Sequence, residues 1–136
     1  MSGPVDLALL ALARAAREHA YAPYSGFRVG AAVALRDGRR FGGCNVENAS
    51  YGLCNCAERT ALFSAVADGA KHGQISAVAV IGDCADPISP CGACRQVLAE
   101  LCAADTPVLL GNLDGKVRHT TVGELLPDSF ALQAAR

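Results

Sequence analysis

Residues 56–110 read CAERTALFSAVADGAKHGQISAVAVIGDCADPISPCGACRQVLAELCAADTPVLL, and this stretch decides the fold. Ala57, Ala61, Leu62, Ala65 and Val66 recur at helical spacing from near Cys56 until Asp68-Gly69 closes the pattern. Ile75–Ile81 is a short β-branched run suited to a buried strand, and Gly82–Pro90 breaks it with Asp, Pro and Ser. A second helix is expected from Cys91 to about Ala103, and Val108–Leu110 reads as another buried strand. Upstream, Val29, Ala31, Val33 and Leu35 alternate with period two, and Asp37-Gly38 supplies a turn before Arg39–Cys44, which makes a hairpin. Val5–Ala20 precedes it with apolar Val5, Leu9, Leu12, Ala13 and Ala16 at helical spacing, ending before Pro23. Downstream, Asp114-Gly115 turns the chain into Val117–Thr121, and Val122–Leu126 is a short helical piece stopped by Pro127. Strand, helix, strand, helix, strand in succession predicts parallel crossovers on one sheet, with the hairpin as an antiparallel addition.

The chain has 136 residues, a length that suits one domain spanning 1–136, and 51% of them are apolar, enough for a substantial core. Twelve basic residues against 13 acidic ones leave a charge of −1, without the basic footprint that a phosphate backbone requires. No nucleic-acid partner is expected. Leu7–Ala13 follows Asp6 and stops at Arg14, which is too short a run for a bilayer and lacks the basic start of an export signal. Seven cysteines, an odd number, fit a reducing cytoplasm in which clustered thiols bind metal or do chemistry.

Cys91-Gly92-Ala93-Cys94 places two thiols three residues apart where a loop enters a helix, a spacing that lets both reach one ion at ~2.3 Å. Cys56-Ala57-Glu58 opens the other crossover helix, and helix starts of successive crossovers lie side by side at the carboxyl edge of such a sheet. Mid-helix, residues two apart diverge, so Cys56 and Glu58 converge only if Cys56 sits at the cap of the first turn. Exposed amides and the helix dipole there favour thiolates. Three thiolates on Zn²⁺ leave the site at −1, and Arg59 is the nearby cation suited to offset it. A fourth thiolate from Cys54 would instead close the site. A structural zinc module makes Glu58 incidental, and a redox protein built on Cys91 and Cys94 gives no task to Cys56 or Glu58.

Cys56-Ala57-Glu58-Arg59 with Pro90-Cys91-Gly92-Ala93-Cys94 resembles the zinc-dependent cytidine deaminases. The resemblance extends through Tyr21-Ala22-Pro23-Tyr24-Ser25, Phe27-Arg28-Val29-Gly30-Ala31-Ala32, Asn45-Val46-Glu47-Asn48-Ala49 and Leu125-Leu126-Pro127-Asp128-Ser129-Phe130. It points to the short branch of the family, with all-cysteine ligands, which is homotetrameric and acts on free nucleosides. It implies an α/β fold, a three-layer αβα sandwich on a five-stranded mixed sheet. It also implies one Zn²⁺ per chain on Cys56, Cys91 and Cys94, with an open fourth position for water. Glu58 would relay protons during hydrolysis of cytidine and 2′-deoxycytidine to uridine and 2′-deoxyuridine with release of ammonia, a pyrimidine-salvage reaction.

The same resemblance assigns Phe27 to packing on the base, Asn45 and Glu47 to the ribose 3′-hydroxyl, the Ala57 amide to the base carbonyl and the Ser89 carbonyl to the amine. Ala49, Tyr51 and Phe130 correspond to residues that family tetramers present at a neighbour's pocket. His19, His72 and His119 match no ligand position.

Overall fold

Every residue of β1 (Val29–Leu35) is buried, although only its odd-numbered positions carry large apolar side chains. The reason is that Gly30, Ala32 and Ala34 are small enough for a helix to lie directly on the second face. That helix is α1 (Leu7–Arg17), whose start is capped by Asp6 Oδ1 accepting the Leu9 amide at 3.0 Å. A Cβ at Gly30 would fall 1.9 Å from Ala13 O, so only glycine allows this approach. The computed structural model describes residues 6–132, and the expected helix start at Val5 lies outside them. The helix ends at Arg17 instead of Ala20, because His19 and Ala20 make only three-residue turns and Arg17 Nε donates to Arg28 O at 3.1 Å.

After β1 the chain turns at Gly38, whose φ of 95° suits glycine, into β2 (Arg40–Cys44). A 3₁₀ turn (Tyr51–Leu53) that no sequence signal announced leads to α2 (Ala57–Ala67), then β3 (Ile75–Gly82). α3 (Gly92–Leu101), β4 (Pro107–Asn112), β5 (Val117–Thr121) and α4 (Val122–Leu125) complete the described chain. Strand order is β2-β1-β3-β4-β5, with only β3 and β4 paired in parallel. Because β2 and β3 both run antiparallel to β1, the β2–α2–β3 connection is also a parallel crossover, one that steps over β1.

The sheet divides two cores, which gives the expected three layers. On one face Leu9, Leu10 and Ala13 of α1 meet Ala32, Ala34, Ala79, Ile81 and Leu109. On the other, Ala61, Leu62 and Ala65 of α2, Leu98 of α3 and Val122 and Leu125 of α4 cover Val33, Val78, Val80, Val108 and Leu110. Gly43 brings β2 against α2 as Gly30 brings β1 against α1: a Cβ there would lie 2.4 Å from Ala61 N and 2.7 Å from Ala57 O.

The pairing also polarises the sheet. Gly30 lies opposite Cys44 and Val29 opposite Gly82, so the segment entering β1 and the segments leaving β2 and β3 meet at one end. At the other end Leu35 lies beside Ile75, and Arg39 Nη1 donates to Asp68 O at 2.9 Å.

Candidate active site

Both helices that leave the loop-rich end of the sheet begin on a cysteine. Cys56 is the N-cap of α2 (φ −77°, ψ 156°) and Cys91 the N-cap of α3 (φ −68°, ψ 166°), each with extended backbone and no side-chain cap of its own. The departure from helical geometry swings the two sulfurs together, and Cys94 joins them from the first turn of α3. The Cys56 and Cys91 sulfurs are 3.8 Å apart, and all three lie within 4.8 Å of one another. Sulfurs bound tetrahedrally at ~2.3 Å from zinc stand about 3.8 Å apart, so the donor set fits that ion. All seven cysteines are free thiols.

Cys54 does not join the cluster. Its sulfur accepts the Asn48 amide at 3.3 Å and faces Asn48 O at 3.6 Å, so among the described residues the thiols that cluster are Cys56, Cys91 and Cys94. Arg59 Nη2 donates to Cys56 Sγ at 3.3 Å. The neighbouring Cys94 thiol, and then this guanidinium, hold Cys56 down at about 5, well inside the thiolate range at neutral pH. Cys94 is pushed up by sharing its proton with Cys56 and by burial.

Glu58, on the first turn of α2, is 4% exposed. Burial, seconded by the Cys56 charge, raises its carboxyl above the ordinary glutamate range. Ala57 between them is fully buried.

A cleft of about 350 Å³ opens beside Cys56, lined by Tyr24, Ser25, Asn45, Glu47, Tyr51, Cys54, Asn55 and Cys56. Between Asn45 and Glu47, which both line it, Val46 is held to Tyr21 and to Asn55 by isolated β-bridges. Asn45 accepts the Val29 amide on Oδ1 and donates from Nδ2 to Phe27 O, both at 2.8 Å. Glu47 accepts three donors from residues 24 and 25, the Ser25 hydroxyl foremost, and these hold its carboxyl below the ordinary range. Phe27 is 40% exposed and its ring would touch a Cβ on Gly82, at the end of β3.

Ser89 belongs to the loop before Cys91, and that loop is tied down by a residue the motif reading passed over. Arg95 donates to Ser89 Oγ at 2.6 Å, Pro90 O at 2.8 Å and Leu125 O at 2.8 Å, so one guanidinium fixes the ligand loop to α4. Beside it, Gln96 Nε2 donates to Phe130 O at 3.1 Å. Phe130, Tyr51 and Ala49 remain exposed; Tyr51 walls the cleft, whereas Ala49 and Phe130 do not. Tyr24 and Asn55 are further cleft residues that sequence spacing alone did not single out.

Comparison with known proteins agrees with this geometry. The family described as the cytidine and deoxycytidylate deaminase zinc-binding region matches residues 4–110. The cytidine deaminase of Halalkalibacterium halodurans is 58% identical over 118 residues, covering 87% of this chain and 88% of that protein. That of Sporosarcina psychrophila is 53% identical over 123 residues, with 90% and 89% covered. The crystal structure of cytidine deaminase from Burkholderia pseudomallei superposes with a TM-score of 0.91 at 60% identity, covering 93% of this chain and 99% of that one. With the match embracing both cysteine motifs and Glu58, this chain belongs to the zinc-dependent cytidine deaminases.

Proposed function

We propose that the protein hydrolyses the amino group from C4 of free cytidine and 2′-deoxycytidine, giving uridine or 2′-deoxyuridine and ammonia in pyrimidine salvage. The observation that carries this reading is the meeting of three free thiols at two helix starts with a buried glutamate in the first turn of one of them. A zinc ion on Cys56, Cys91 and Cys94, with its fourth side open, would supply an activated water at neutral pH. Arg59 offsets the surplus negative charge of three thiolates. Glu58, as carboxylate, would take one proton from that water and deliver it to N3 of the pyrimidine while the oxygen adds to C4; the proton left on that oxygen would then pass through Glu58 to the amine as the C4–N bond breaks and ammonia leaves.

The remaining residues bind. The Ala57 amide, at the positive start of α2, meets the base carbonyl, and the Ser89 carbonyl meets the amine. Phe27 packs on the base, while Asn45 and Glu47 hold the sugar. A carboxylate offers about four acceptor positions, and three of those on Glu47 are already filled by Tyr24 and Ser25. One sugar hydroxyl is therefore all that Glu47 accepts, which supports turnover of both the ribo and the deoxy nucleoside. Tyr51, Leu53 and Phe130 are 78%, 70% and 68% exposed, an apolar surface that supports a homotetramer in which Ala49, Tyr51 and Phe130 reach a neighbour's pocket. Seven free cysteines suit the cytoplasm.

The test is direct: incubate the zinc-loaded protein with cytidine and follow the loss of cytosine absorbance together with ammonia. Glu58→Gln keeps the shape but cannot carry the proton, so turnover should fall by a factor on the order of 10²–10⁴ with zinc retained. Deamination by Glu58→Gln at the parent rate would refute the proton role.

A further inference from the structure

One hydroxyl connects two residues that the proposed function gives to different halves of the substrate. Ser25 Oγ accepts the Phe27 amide at 3.0 Å and donates to Glu47 Oε2. The other carboxylate oxygen, Oε1, accepts the amides of Tyr24 at 3.0 Å and Ser25 at 3.1 Å. Three donors from two consecutive residues fix the plane of the carboxylate, since turning it would break at least one of them. On the other side, Asn45 ties Phe27 O and Val29 N to the same strip. Residues 24–29 and 45–47 therefore form one stitched unit along the cleft.

We infer that Ser25 is a positioning residue: its hydroxyl aligns Glu47 for a sugar hydroxyl and anchors Phe27 against the base, so one side chain sets the spacing of the two subsites. The inference rests on the sugar and base assignments made above. Ser25 and Glu47 both line the cleft. Gly26 follows at a φ of 69°, and its amide donates to Ala22 O at 2.9 Å, which closes the turn of residues 22–26. With that backbone turn already hydrogen-bonded, the Ser25 hydroxyl is left to serve the two neighbours. Removing it frees a lone pair on Oε2 and leaves the carboxylate pinned through Oε1 alone. The Phe27 amide also loses its acceptor. Both effects fall on substrate binding, and neither touches the thiol cluster.

The test compares KM and kcat for cytidine and for 3′-deoxycytidine in the wild type, Ser25→Ala, Ser25→Thr and Glu47→Gln, all zinc-loaded. Ser25→Ala should raise KM for cytidine about tenfold, the usual penalty for a lost hydrogen bond to a charged group, with kcat within about threefold of wild type. For 3′-deoxycytidine, which has no 3′-hydroxyl to align, the rise should shrink to about threefold or less. Ser25→Thr restores the hydroxyl and should recover most of the KM. The inference is overturned by a wild-type KM in Ser25→Ala, by equal KM rises for the two nucleosides, or by a rise that Ser25→Thr does not reverse. Glu47→Gln separates the two failures. If it raises KM for cytidine while Ser25→Ala does not, only the role of Ser25 is lost. If Glu47→Gln leaves KM unchanged, the sugar assignment falls and the inference with it.

Discussion

Replacing Gly43 by alanine tests whether the placing of the chemistry depends on how closely β2 lies on α2. The added Cβ would stand 2.4 Å from Ala61 N, 2.7 Å from Ala57 O and 2.9 Å from Ala61 Cα. Real Cβ atoms essentially never approach closer than 3.0 Å, and all three neighbours are backbone, so the helix must retreat by at least about 0.6 Å. Overpacking of this kind costs about 1–3 kcal/mol. The functional loss should be larger than the stability loss suggests, because Ala57 O belongs to the turn that carries Cys56 and Glu58. A displacement approaching 1 Å at reacting groups can cost on the order of 10²-fold in rate. Gly30→Ala is the control: its Cβ meets Ala13 O at 1.9 Å, a more severe clash, but against α1 on the opposite face of the sheet. Urea unfolding, zinc retention against a competing chelator and kcat/KM should be measured for both. Gly43→Ala should lose zinc affinity and turnover, whereas Gly30→Ala should lose stability while its folded fraction keeps both. Equal kcat/KM losses in the two variants would refute this reasoning.

Metal analysis of single variants should find Cys56→Ala, Cys91→Ala and Cys94→Ala depleted of zinc and Cys54→Ala replete; zinc loss in Cys54→Ala matching Cys91→Ala would mean a closed four-thiolate site. Cys102 is 2% exposed and burial pushes its thiol up to about 12, so the folded state holds that proton more tightly than the unfolded chain does. Its contribution to stability is complete below about pH 9 and is lost as pH climbs from about 9 towards 12, with a limiting slope of about 1.4 kcal/mol per pH unit. Chemical unfolding of wild type and Cys102→Val across that range should show the difference moving in favour of the valine; a constant difference contradicts it. Phe130→Ala should raise KM for cytidine and weaken assembly without depleting zinc, as read by light scattering over a dilution series. A monomer fully active at nanomolar concentration would remove the shared pocket.

The main elements were legible because their periods are local. The alternation from Val29, the helical spacing after Cys56 and the turn residues Asp37-Gly38 and Asp114-Gly115 each specify structure within a few residues. Even the cap position of Cys56 followed from requiring Cys56 and Glu58 to converge. What the sequence withheld depends on partners far along the chain. The path of Asn45–Asn55 is set by bridges from Tyr21 to Val46 and from Val46 to Asn55, which no local period reveals. Arg95 reads as one more helix arginine until its contacts with Ser89, Pro90 and Leu125 are in view. Ser25 sits in a polar turn, and its importance emerges only when Glu47 is folded against it. The far burial of β1 was hidden too, since glycine and alanine announce a close neighbour only through what they lack.

The polarity of the sheet has a practical side for anyone who wishes to attach something to this protein. β1 runs seven residues, about 23 Å at the usual strand rise, from the catalytic end to the hairpin turn at Asp37-Gly38. That turn is exposed, closed by its own hydrogen bonds between Leu35 and Gly38 and between Leu35 and Arg39, and lies outside the cleft. A short flexible peptide spliced there, a fluorophore handle or a surface tether, would be carried on the side away from the substrate, and immobilised protein should turn over nucleoside with an unobstructed mouth.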